Sequence, residues 1–257
     1  MKLDFEKYHG TGNDFILADN RTLNWVPTVD QIKQLCDRHF GIGADGVILI
    51  EKSDEAQFYV NYFNSDGSKS FCGNGSRCAV QFAASLGIAS EHVLFDAIDG
   101  LHHARMEDNL IAIKMRDTAK IEHQRPHHFA HTGSPHIVKY VEDVNDVEVV
   151  HEGRLIRFSE KWKKEGTNVN FVEKDEDRLM VRTYERGVED ETLSCGTGVT
   201  AVALTDFDIY GGALERTIDT PGGTLRVTFE KNEGGFTNIW LIGPAQRVFS
   251  GQINLEG

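Results

Sequence analysis

Hydrophobic residues along most of the chain recur with the two-residue period of strands or form short apolar runs. These segments predict strands in two groups, one in each half of the chain. They fall at residues 1–6, 14–19, 57–64, 93–97, 101–107, 110–115, 178–185, 224–230 and 236–242. Turn sequences such as Ser65-Asp66-Gly67 and Arg186-Gly187 separate them. We therefore expect a chain built largely of short strands.

Three segments carry helix signals. Thr28 to Gln31 forms a capping box, which predicts a helix that ends near His39. The other two segments, residues 76–86 and 199–204, are apolar on nearly every face. A helix that is hydrophobic all round is normally enclosed by other elements. We therefore expect two enclosed helices, each flanked by strands.

A short motif occurs twice and indicates an internal duplication. Cys72-Gly73-Asn74-Gly75 and Cys195-Gly196-Thr197-Gly198 lie 123 positions apart, and each precedes one of the apolar helices. Upstream, residues 12–17 have a looser counterpart at 133–138, 121 positions on. Two similar offsets predict two related halves, although chance similarity is the alternative for the weaker pair.

The polar stretch 118–132, with Pro126 and four histidines, predicts a linker between these halves. We therefore place one half at residues 1–120, carrying Cys72, and the other at 121–257, carrying Cys195. The last strand is free to return to the first half in this scheme. The four histidines lack recognisable metal-ligand spacing, so we expect no metal site there.

Composition and charge restrict the classes of function. The 257 residues carry 27 Lys and Arg against 40 Asp and Glu, a formal net charge of −13. This balance disfavours nucleic acid as a partner, because phosphates require a basic face. No apolar run approaches the roughly 20 residues of a membrane span, and the first residues lack the apolar core of a signal peptide. The four cysteines include no CxxC pair, so we expect a cytoplasmic enzyme.

Cysteines at helix starts have specific chemistry. The unsatisfied N–H groups and the positive end of the helix dipole favour a thiolate, and flanking glycines let the same N–H groups bind a carboxylate. One such cysteine would more often be core packing, but here the motif is repeated. If the halves face each other, Cys72 and Cys195 would flank one ligand. One thiolate would then remove an α-proton while the opposite thiol delivers another. Structural cysteines and a redox pair remain alternatives.

Five motifs stand in this order along the chain: His9–Phe15, Phe63–Gly67, Cys72–Cys78, Tyr184–Gly187 and Cys195–Gly198. Together they resemble the motifs of diaminopimelate epimerases, and the resemblance extends over nearly the whole chain. The related proline and hydroxyproline racemases have histidine at the position of Asn74 and lack the Gly-Thr-Gly-Asn-Asp-Phe opening.

The resemblance implies an α+β fold with two pseudo-symmetric domains, each a mainly antiparallel sheet wrapped around a central helix. It implies epimerisation of LL-2,6-diaminopimelate to the meso form without cofactor or metal, on the route to lysine and peptidoglycan precursors, by a homodimer. Cys72 and Cys195 would be the two acid/base residues, with Cys195 the base toward the LL form. The alternatives are a racemase of another amino acid, such as proline or hydroxyproline, and a thiol redox sensor.

The resemblance also implies the remaining site residues. His136, with Glu185, would assist proton movement around the thiols. A distal carboxylate and ammonium suit Arg186 and Glu185, respectively. The substrate-binding set is Asn13, Asn64, Gly73, Asn74, Asn168, Glu185, Arg186, Gly196 and Thr197. Two positions depart from other family members: Gly46 stands where some have glutamine, and Ser134 where some have asparagine. A side-chain contact from position 46 is therefore absent, and the shorter Ser134 is left out of the substrate-binding set.

Overall fold

The computed structural model describes residues 1–176 and 178–255; the predicted second half extends beyond them to residue 257. Within these residues lie four helices, α1 (Val29–Cys36), α2 (Gly73–Ser85), α3 (Val149–Arg157) and α4 (Gly196–Tyr210). The strands are β1 (Lys2–Gly10), β2 (Asn13–Asp19), β3 (Gly46–Glu51), β4 (Phe58–Asn64), β5 (His92–Ala97), β6 (Gly100–Glu107), β7 (Leu110–Lys114), β8 (Thr118–Ala119), β9 (Glu122–Gln124), β10 (His127–His131), β11 (Pro135–Tyr140), β12 (Asn168–Asp175), β13 (Arg178–Glu185), β14 (Asp190–Thr192), β15 (Glu215–Thr220), β16 (Gly223–Asn232), β17 (Gly235–Pro244) and β18 (Gln246–Asn254).

The chain divides into two compact units. The first unit is Met1–Ile113 together with the described residues from Gly243 onward, and the second is Lys114–Ile242. The final strand belongs to the first unit because β18 pairs antiparallel with β1. The polar stretch 118–132 is not a linker, so that prediction was wrong. It forms β8, β9 and β10 of the second unit, where β10 pairs with β11. Only Ala130 is buried on β10, which leaves too weak a hydrophobic pattern to indicate a strand.

The first unit is a mixed sheet around α2. Strands β2 and β3 pair in parallel, β3 and β4 antiparallel, β4 and β5 parallel, and β5, β6 and β7 antiparallel in succession. Alternate side chains of β2 and β3 point to opposite faces. Leu17 and Ile48 pack in the cluster around α2, whereas Ile16 and Val47 pack in the cluster that contains α1. The continuous apolar run of β3 therefore reflects burial on both faces.

The second unit repeats this order. Strands β11 and β12 pair in parallel, β12 and β13 antiparallel, β13 and β15 parallel, and β15, β16 and β17 antiparallel in succession. The central helix is α4, and a second cluster contains Val149 of α3. The same sequence of parallel and antiparallel pairings confirms the predicted internal duplication. The sequence analysis did not predict α3, because only Val149 and Gly153 of this helix are buried.

Helix starts follow the predicted capping chemistry. Thr28 caps α1 with both bonds of the capping box in place, as predicted, but α1 ends at Cys36 because Asp37 adopts extended backbone. Both central helices begin immediately after a cysteine. Among the described residues, no helix has the length and apolar character needed to cross a membrane.

Candidate active site

Cys72 and Cys195 occupy the same position on their respective helices. Each is the N-cap residue, with extended backbone, so the sulfur lies beside the unsatisfied N–H groups of the first turn. Cys72 Sγ accepts a hydrogen bond from Gly75 N at 3.4 Å. The glycines allow close packing beneath this turn. A Cβ on Gly75 would lie 3.2 Å from Ile48 Cδ1, and one on Gly198 would lie 2.5 Å from Asn170 Oδ1.

In the first unit, Asn13 is oriented toward Cys72. Its Nδ2 donates to Asp45 Oδ2 at 2.6 Å, which leaves Oδ1 to face Cys72 Sγ at 3.6 Å and Asn74 Nδ2 at 3.4 Å. Because Asp45 fixes the amide, the group that faces the Cys72 sulfur is a hydrogen-bond acceptor. The thiol form of Cys72 can therefore donate to Asn13.

Acidic groups next to Asn13 are held by cations. Asp14 forms ion pairs with Lys7 at 2.7 Å and Arg38 at 2.8 Å, and Arg38 also binds Asp45 at 2.8 Å. Burial acts to raise the pKa of Asp14, but the hydrogen bonds and charges of Arg38 and Lys7 outweigh it and lower the pKa to about 2. This network keeps the Asp14 carboxylate charged at neutral pH. Arg38 joins it to Asp45, which fixes Asn13.

Asn64 lies at the end of β4 and opposite Gly46 in the β3–β4 register. Its Nδ2 contacts the Ser68 carbonyl at 3.2 Å and the Ser70 hydroxyl at 3.1 Å. A side chain at Gly46 would collide with its surroundings, since a Cβ there would lie 2.5 Å from both Tyr62 Cε2 and the Phe63 carbonyl oxygen. The ring of Tyr62 therefore takes the space that a larger residue at position 46 would need.

In the second unit, a chain of hydrogen bonds leads to Cys195. Thr197 Oγ1 lies 3.6 Å from Cys195 Sγ and 2.9 Å from His136 Nε2. Asn170 Nδ2 lies 3.1 Å from His136 Nδ1 and donates to the Ile137 carbonyl at 2.9 Å, while Asn170 Oδ1 accepts from Thr183 at 3.0 Å.

These partners determine where the proton of His136 lies. The Ile137 carbonyl can only accept, so Asn170 must present its NH₂ group there and also to His136 Nδ1. Nδ1 is then an acceptor and Nε2 carries the hydrogen, which it donates to Thr197. Asn168 Nδ2 also lies 3.4 Å from Nε2, but its two hydrogens are directed to Ser134 and the Pro135 carbonyl. The hydroxyl hydrogen of Thr197 is thereby left for the Cys195 sulfur. Cys195 faces a donor, whereas Cys72 faces an acceptor.

His136 is neutral in this arrangement. Complete burial, assisted by the positive charges of His131 and Arg186, lowers its pKa to about 3. At neutral pH the imidazole therefore orients Thr197 through a hydrogen bond and carries no charge. His136 contacts Thr197, and Thr197 in turn contacts the Cys195 sulfur, so one residue separates the imidazole from the thiol.

Asn168 organises the neighbouring turns. Its Nδ2 donates to Ser134 Oγ at 2.9 Å and to the Pro135 carbonyl at 3.0 Å, and its Oδ1 accepts from the Arg186 backbone N–H at 2.8 Å. Ser134, the departure noted in the sequence, is therefore a partner of Asn168.

Glu185 is the last residue of β13, and Arg186 follows it. Asn168 is the first residue of β12, which pairs antiparallel with β13. The Glu185 carboxylate accepts from Thr192 Oγ1 at 2.8 Å. The side chain of Arg186 is exposed, and its Nη1 donates to the Glu165 carbonyl at 2.9 Å. An exposed guanidinium at the end of a strand is available to an anionic ligand.

The two predicted residue sets thus form one group in each unit. The first group contains Cys72, Gly73, Asn74 and Asn13, whereas the side chain of Asn64 contacts Ser68 and Ser70 at the end of β4. The second contains Cys195, Gly196, Thr197, His136, Asn168, Glu185 and Arg186.

Sequence reasoning missed several residues that support these groups. Asp45 orients Asn13, and Asn170 and Thr183 hold His136. Arg77 is fully buried on α2. The available signal was periodicity: Asn170 follows Asn168 by two residues, so the two side chains share one face of β12.

The histidines of β9 and β10 pair with each other and with an acid. His123 Nδ1 lies 2.9 Å from His128 Nδ1, and His123 Nε2 lies 2.9 Å from Asp208 Oδ2. Within residues 1–176 and 178–255, no three His, Cys, Asp or Glu side chains are grouped so that they could hold a metal ion.

Comparison with known proteins gives concordant results over nearly the whole chain. The family model described as Diaminopimelate epimerase matches residues 5–121 and 128–248. A protein of Flavobacterium psychrophilum named diaminopimelate epimerase is 46% identical over 250 residues, 95% of this chain and 97% of that protein. One of Chlorobaculum tepidum with the same name is 41% identical over 258 residues, 96% and 99% of the two chains.

Solved structures with low sequence identity share the fold. A phenazine biosynthesis protein of the PhzF family from Bacillus anthracis superposes with a TM-score of 0.80 at 12% identity, covering 99% of this chain and all of that chain. A hydroxyproline epimerase from Agrobacterium vitis gives a TM-score of 0.71 at 14% identity, covering 98% and 92%. The predicted α+β fold with a central helix in each half is confirmed.

Proposed function

The chain belongs to the diaminopimelate epimerase family, and we propose that Cys72 and Cys195 are the thiol pair with which it epimerises LL-2,6-diaminopimelate to the meso form. One observation carries the assignment of these residues. In two units with the same strand order, the two cysteines are the N-caps of the equivalent central helices. A duplicated fold thus presents the same reactive group twice, as inversion at one carbon requires.

The reaction is a transfer of protons at the α-carbon. One thiolate removes the α-proton, and the electron pair of the broken C–H bond delocalises into the α-carboxylate. The other thiol then delivers a proton to the opposite face. Backbone N–H groups at Gly73-Asn74 and Gly196-Thr197 would bind the carboxylate and stabilise the charge that develops on it. Each turnover leaves the two sulfurs with exchanged protonation states.

The surroundings of the sulfurs favour one resting assignment. Besides the Gly75 N–H, Cys72 faces the acceptor Asn13 Oδ1, which suits a thiol, and Cys195 faces the hydroxyl of Thr197, which can donate to a thiolate. We assign Cys195 as base toward the LL isomer and Cys72 as donor. His136 would act through Thr197 as a neutral orienting group, and Glu185 would assist proton movement.

Recognition of the distal end of the substrate requires a cation and a hydrogen-bond acceptor. Diaminopimelate has a carboxylate and an ammonium at each end. The exposed guanidinium of Arg186 offers a fork for the distal carboxylate, and Glu185 is an acceptor for the distal ammonium. Asn13, Asn64, Asn74 and Asn168 would supply the remaining amide contacts.

The function is tested with reduced protein, LL-diaminopimelate and no added cofactor in D₂O. Proton NMR follows loss of the α-proton signal, and chiral chromatography follows the meso product. We expect exchange and meso product together. Exchange or product that requires pyridoxal phosphate or a metal would contradict the proposal, as would an inert protein whose thiols are fully reduced.

Arg186→Ala separates diaminopimelate from substrates with a single carboxylate. Loss of the distal contact should raise KM for diaminopimelate by about 10- to 100-fold, in keeping with the strength of a charge-assisted hydrogen bond. Equal turnover of proline or hydroxyproline by the unchanged protein would favour the alternative substrate class.

We also propose that the protein is a cytoplasmic homodimer that serves lysine and peptidoglycan precursor synthesis and does not bind nucleic acid. The net charge of −13 supports the last point. Sedimentation velocity measures the oligomeric state, and a monomer at micromolar concentration would contradict the dimer.

A further inference from the structure

Arg77 is a charged side chain sealed inside the first unit. It lies on α2, five residues after Cys72, and has no solvent exposure. Its Nη2 donates to Thr11 Oγ1 at 3.2 Å and its Nε to the Pro244 carbonyl at 3.3 Å. Its Nη1 is buried with no hydrogen-bond partner among the described residues.

A buried guanidinium with only neutral acceptors is energetically costly. Removal from water is expensive for any ion and is normally offset by an ion pair. The carboxylate of Asp14 in this unit is already paired with Lys7 and Arg38. Burial lowers the pKa of Arg77 to about 10, so the side chain is still a cation at neutral pH. Within the part of the chain that the structure describes, the charge of Arg77 therefore lacks a permanent anion.

The guanidinium reaches the first turn of α2, because a Cβ on Gly10 would lie 3.1 Å from Arg77 Nη2 and 3.0 Å from the Asn74 carbonyl oxygen. In their thiolate forms, Cys78 and Cys72 would each act to raise the pKa of Arg77. Cys78 is fully buried, and burial raises its pKa far above neutrality, so it stays a thiol. Cys72 is half-buried at the start of the helix and faces Asn13. Of the two, only Cys72 is placed to lose its proton.

Other titratable groups around α2 do not replace this pairing. Burial, with a smaller contribution from Glu6, raises the pKa of Tyr8 to about 12, so it is neutral. The ring of His9 accepts from the Gly12 N–H through Nδ1. The charges of Lys7, Asp14, Arg38 and Asp45 are joined in one ion-pair network.

We propose that Arg77 is the counter-charge of the Cys72 thiolate: a cation beneath the first turn of α2 that stabilises the sulfur after its proton has passed to the substrate. This inference rests on the proposed function, in which Cys72 alternates between two protonation states. Asn13 Oδ1 accommodates the thiol, and the Gly75 N–H together with Arg77 accommodates the thiolate. Nothing places Arg77 on the substrate, so it is a positioning residue.

The second unit provides the matched control. The position equivalent to Arg77 is Thr200, whose hydroxyl donates to the Gly196 carbonyl at 2.9 Å within α4. The environment of Cys195 therefore lacks this buried cation and relies on the Thr197 hydroxyl.

The test measures iodoacetamide alkylation of Cys72 against pH in a Cys195→Ser background, with site-resolved mass spectrometry. Arg77→Gln keeps hydrogen-bonding groups but removes the charge, whereas Arg77→Lys keeps the charge but cannot bridge Thr11 and Pro244. We expect Gln to move the alkylation midpoint up by about 1 to 2 pH units, as for loss of a nearby opposite charge. Arg77→Lys should leave the alkylation midpoint within about 0.5 pH unit of its value with Arg77 intact.

A purely structural role predicts another pattern. An unchanged midpoint in Arg77→Gln, or equal shifts in Arg77→Lys and Arg77→Gln, would overturn the proposal. A raised KM with an unchanged midpoint would do so as well, because the missing anion would then be the substrate. Thr200→Val, read on Cys195 in a Cys72→Ser background, should produce no comparable shift.

The proposal can be tested even if Arg77→Gln does not fold, and the test does not require catalysis. If Arg77→Gln fails to fold, the midpoint of Cys72 with Arg77 intact decides: a value at or above the ordinary thiol value of about 8.5 would overturn the proposal. Alkylation needs no substrate. A protein that does not epimerise diaminopimelate would contradict only the proposed function. A Cys72 alkylation midpoint in Arg77→Gln equal to that with Arg77 intact would contradict only the inference.

Discussion

The two units place different side chains beneath the same helix start. In the first unit the inward residues of β2, β3 and β4 below Gly75 are Phe15, Ile48 and Tyr62. By strand register, the equivalent residues below Gly198 in the second unit are His136, Asn170 and Thr183. The first set packs as a hydrophobic cluster, and the second set is joined by hydrogen bonds.

This difference shows which part of a duplicated fold is free to diverge. The strand order and the central helices are specified by burial, which any apolar residue of suitable size provides. The residues beneath the reactive turn are also buried, but their polarity decides what faces the sulfur. The apolar set leaves Cys72 to Asn13 and Arg77, whereas the polar set turns the Thr197 hydroxyl toward Cys195.

The largest expected effect concerns the feature that the units share. Cys72→Ala and Cys195→Ala should each lower epimerisation at least about 10³-fold, since each removes one of two acid/base groups. Chiral chromatography measures the rate, and circular dichroism checks the fold. Cys36→Ala is the control, because burial raises the pKa of Cys36 to about 12 and places it outside the chemistry. Near-normal turnover in either of the first two variants would exclude a two-thiol mechanism.

Exchanging the polarity of the two sets should cost stability in both units. Asn170→Leu leaves His136 Nδ1 and Thr183 without their partner, and Ile48→Asn buries an amide among apolar side chains. Each should lower the free energy of unfolding by about 3 kcal/mol in urea titrations. Ile48→Leu, which conserves volume, should cost less than about 1.5 kcal/mol. A neutral Asn170→Leu would show that the polar set is not a satisfied network.

As the pH falls, the second unit should lose stability before the first. In the unfolded chain His136 binds a proton below about pH 6.5, but in the folded chain only near its lowered pKa of about 3. The unfolded state therefore binds more protons between these values, so stability is complete above pH 6.5 and falls as the pH drops. The loss should reach about 2 kcal/mol at pH 5.

Asp14 contributes in a lower window. Its pKa is lowered to about 2, so its contribution to stability is present above about pH 4 and is lost below it.

His136→Gln should remove most of the slope of the urea midpoint between pH 6.5 and 5. The weaker slope from His127 and His128, whose pKa values are lowered mainly by burial, should remain. An unchanged slope in His136→Gln would show that the ring is protonated in the folded protein.

Hydrophobic patterning predicted both central helices and nine of the strands, but it missed others that are largely buried, such as β3 and β12. The two apolar helices, the capping box at Thr28 and the duplication all follow from local sequence. The strands of 118–132 and helix α3 were missed because most of their side chains are exposed or half-buried. Their positions depend on pairing with distant strands.

The site could be predicted only in part. The two cysteines could be predicted as site residues because glycines and an apolar helix follow each one. Asn170 and Arg77 could not be predicted, because a polar residue in an apolar pattern indicates exposure unless its partners are known. Those partners, Ile137, Thr183, Thr11 and Pro244, are brought close only by the register of folded strands.

The most direct test of the account is the position of deuterium after brief turnover of LL-diaminopimelate in D₂O. Two thiols with separate roles predict meso product that carries one deuterium at the inverted carbon, while recovered LL substrate remains unlabelled. Mass spectrometry of the separated isomers at low conversion measures both. Meso product that retains the original proton, or deuterium that enters the LL substrate as fast as product forms, would contradict the account, because a single base would then serve both faces.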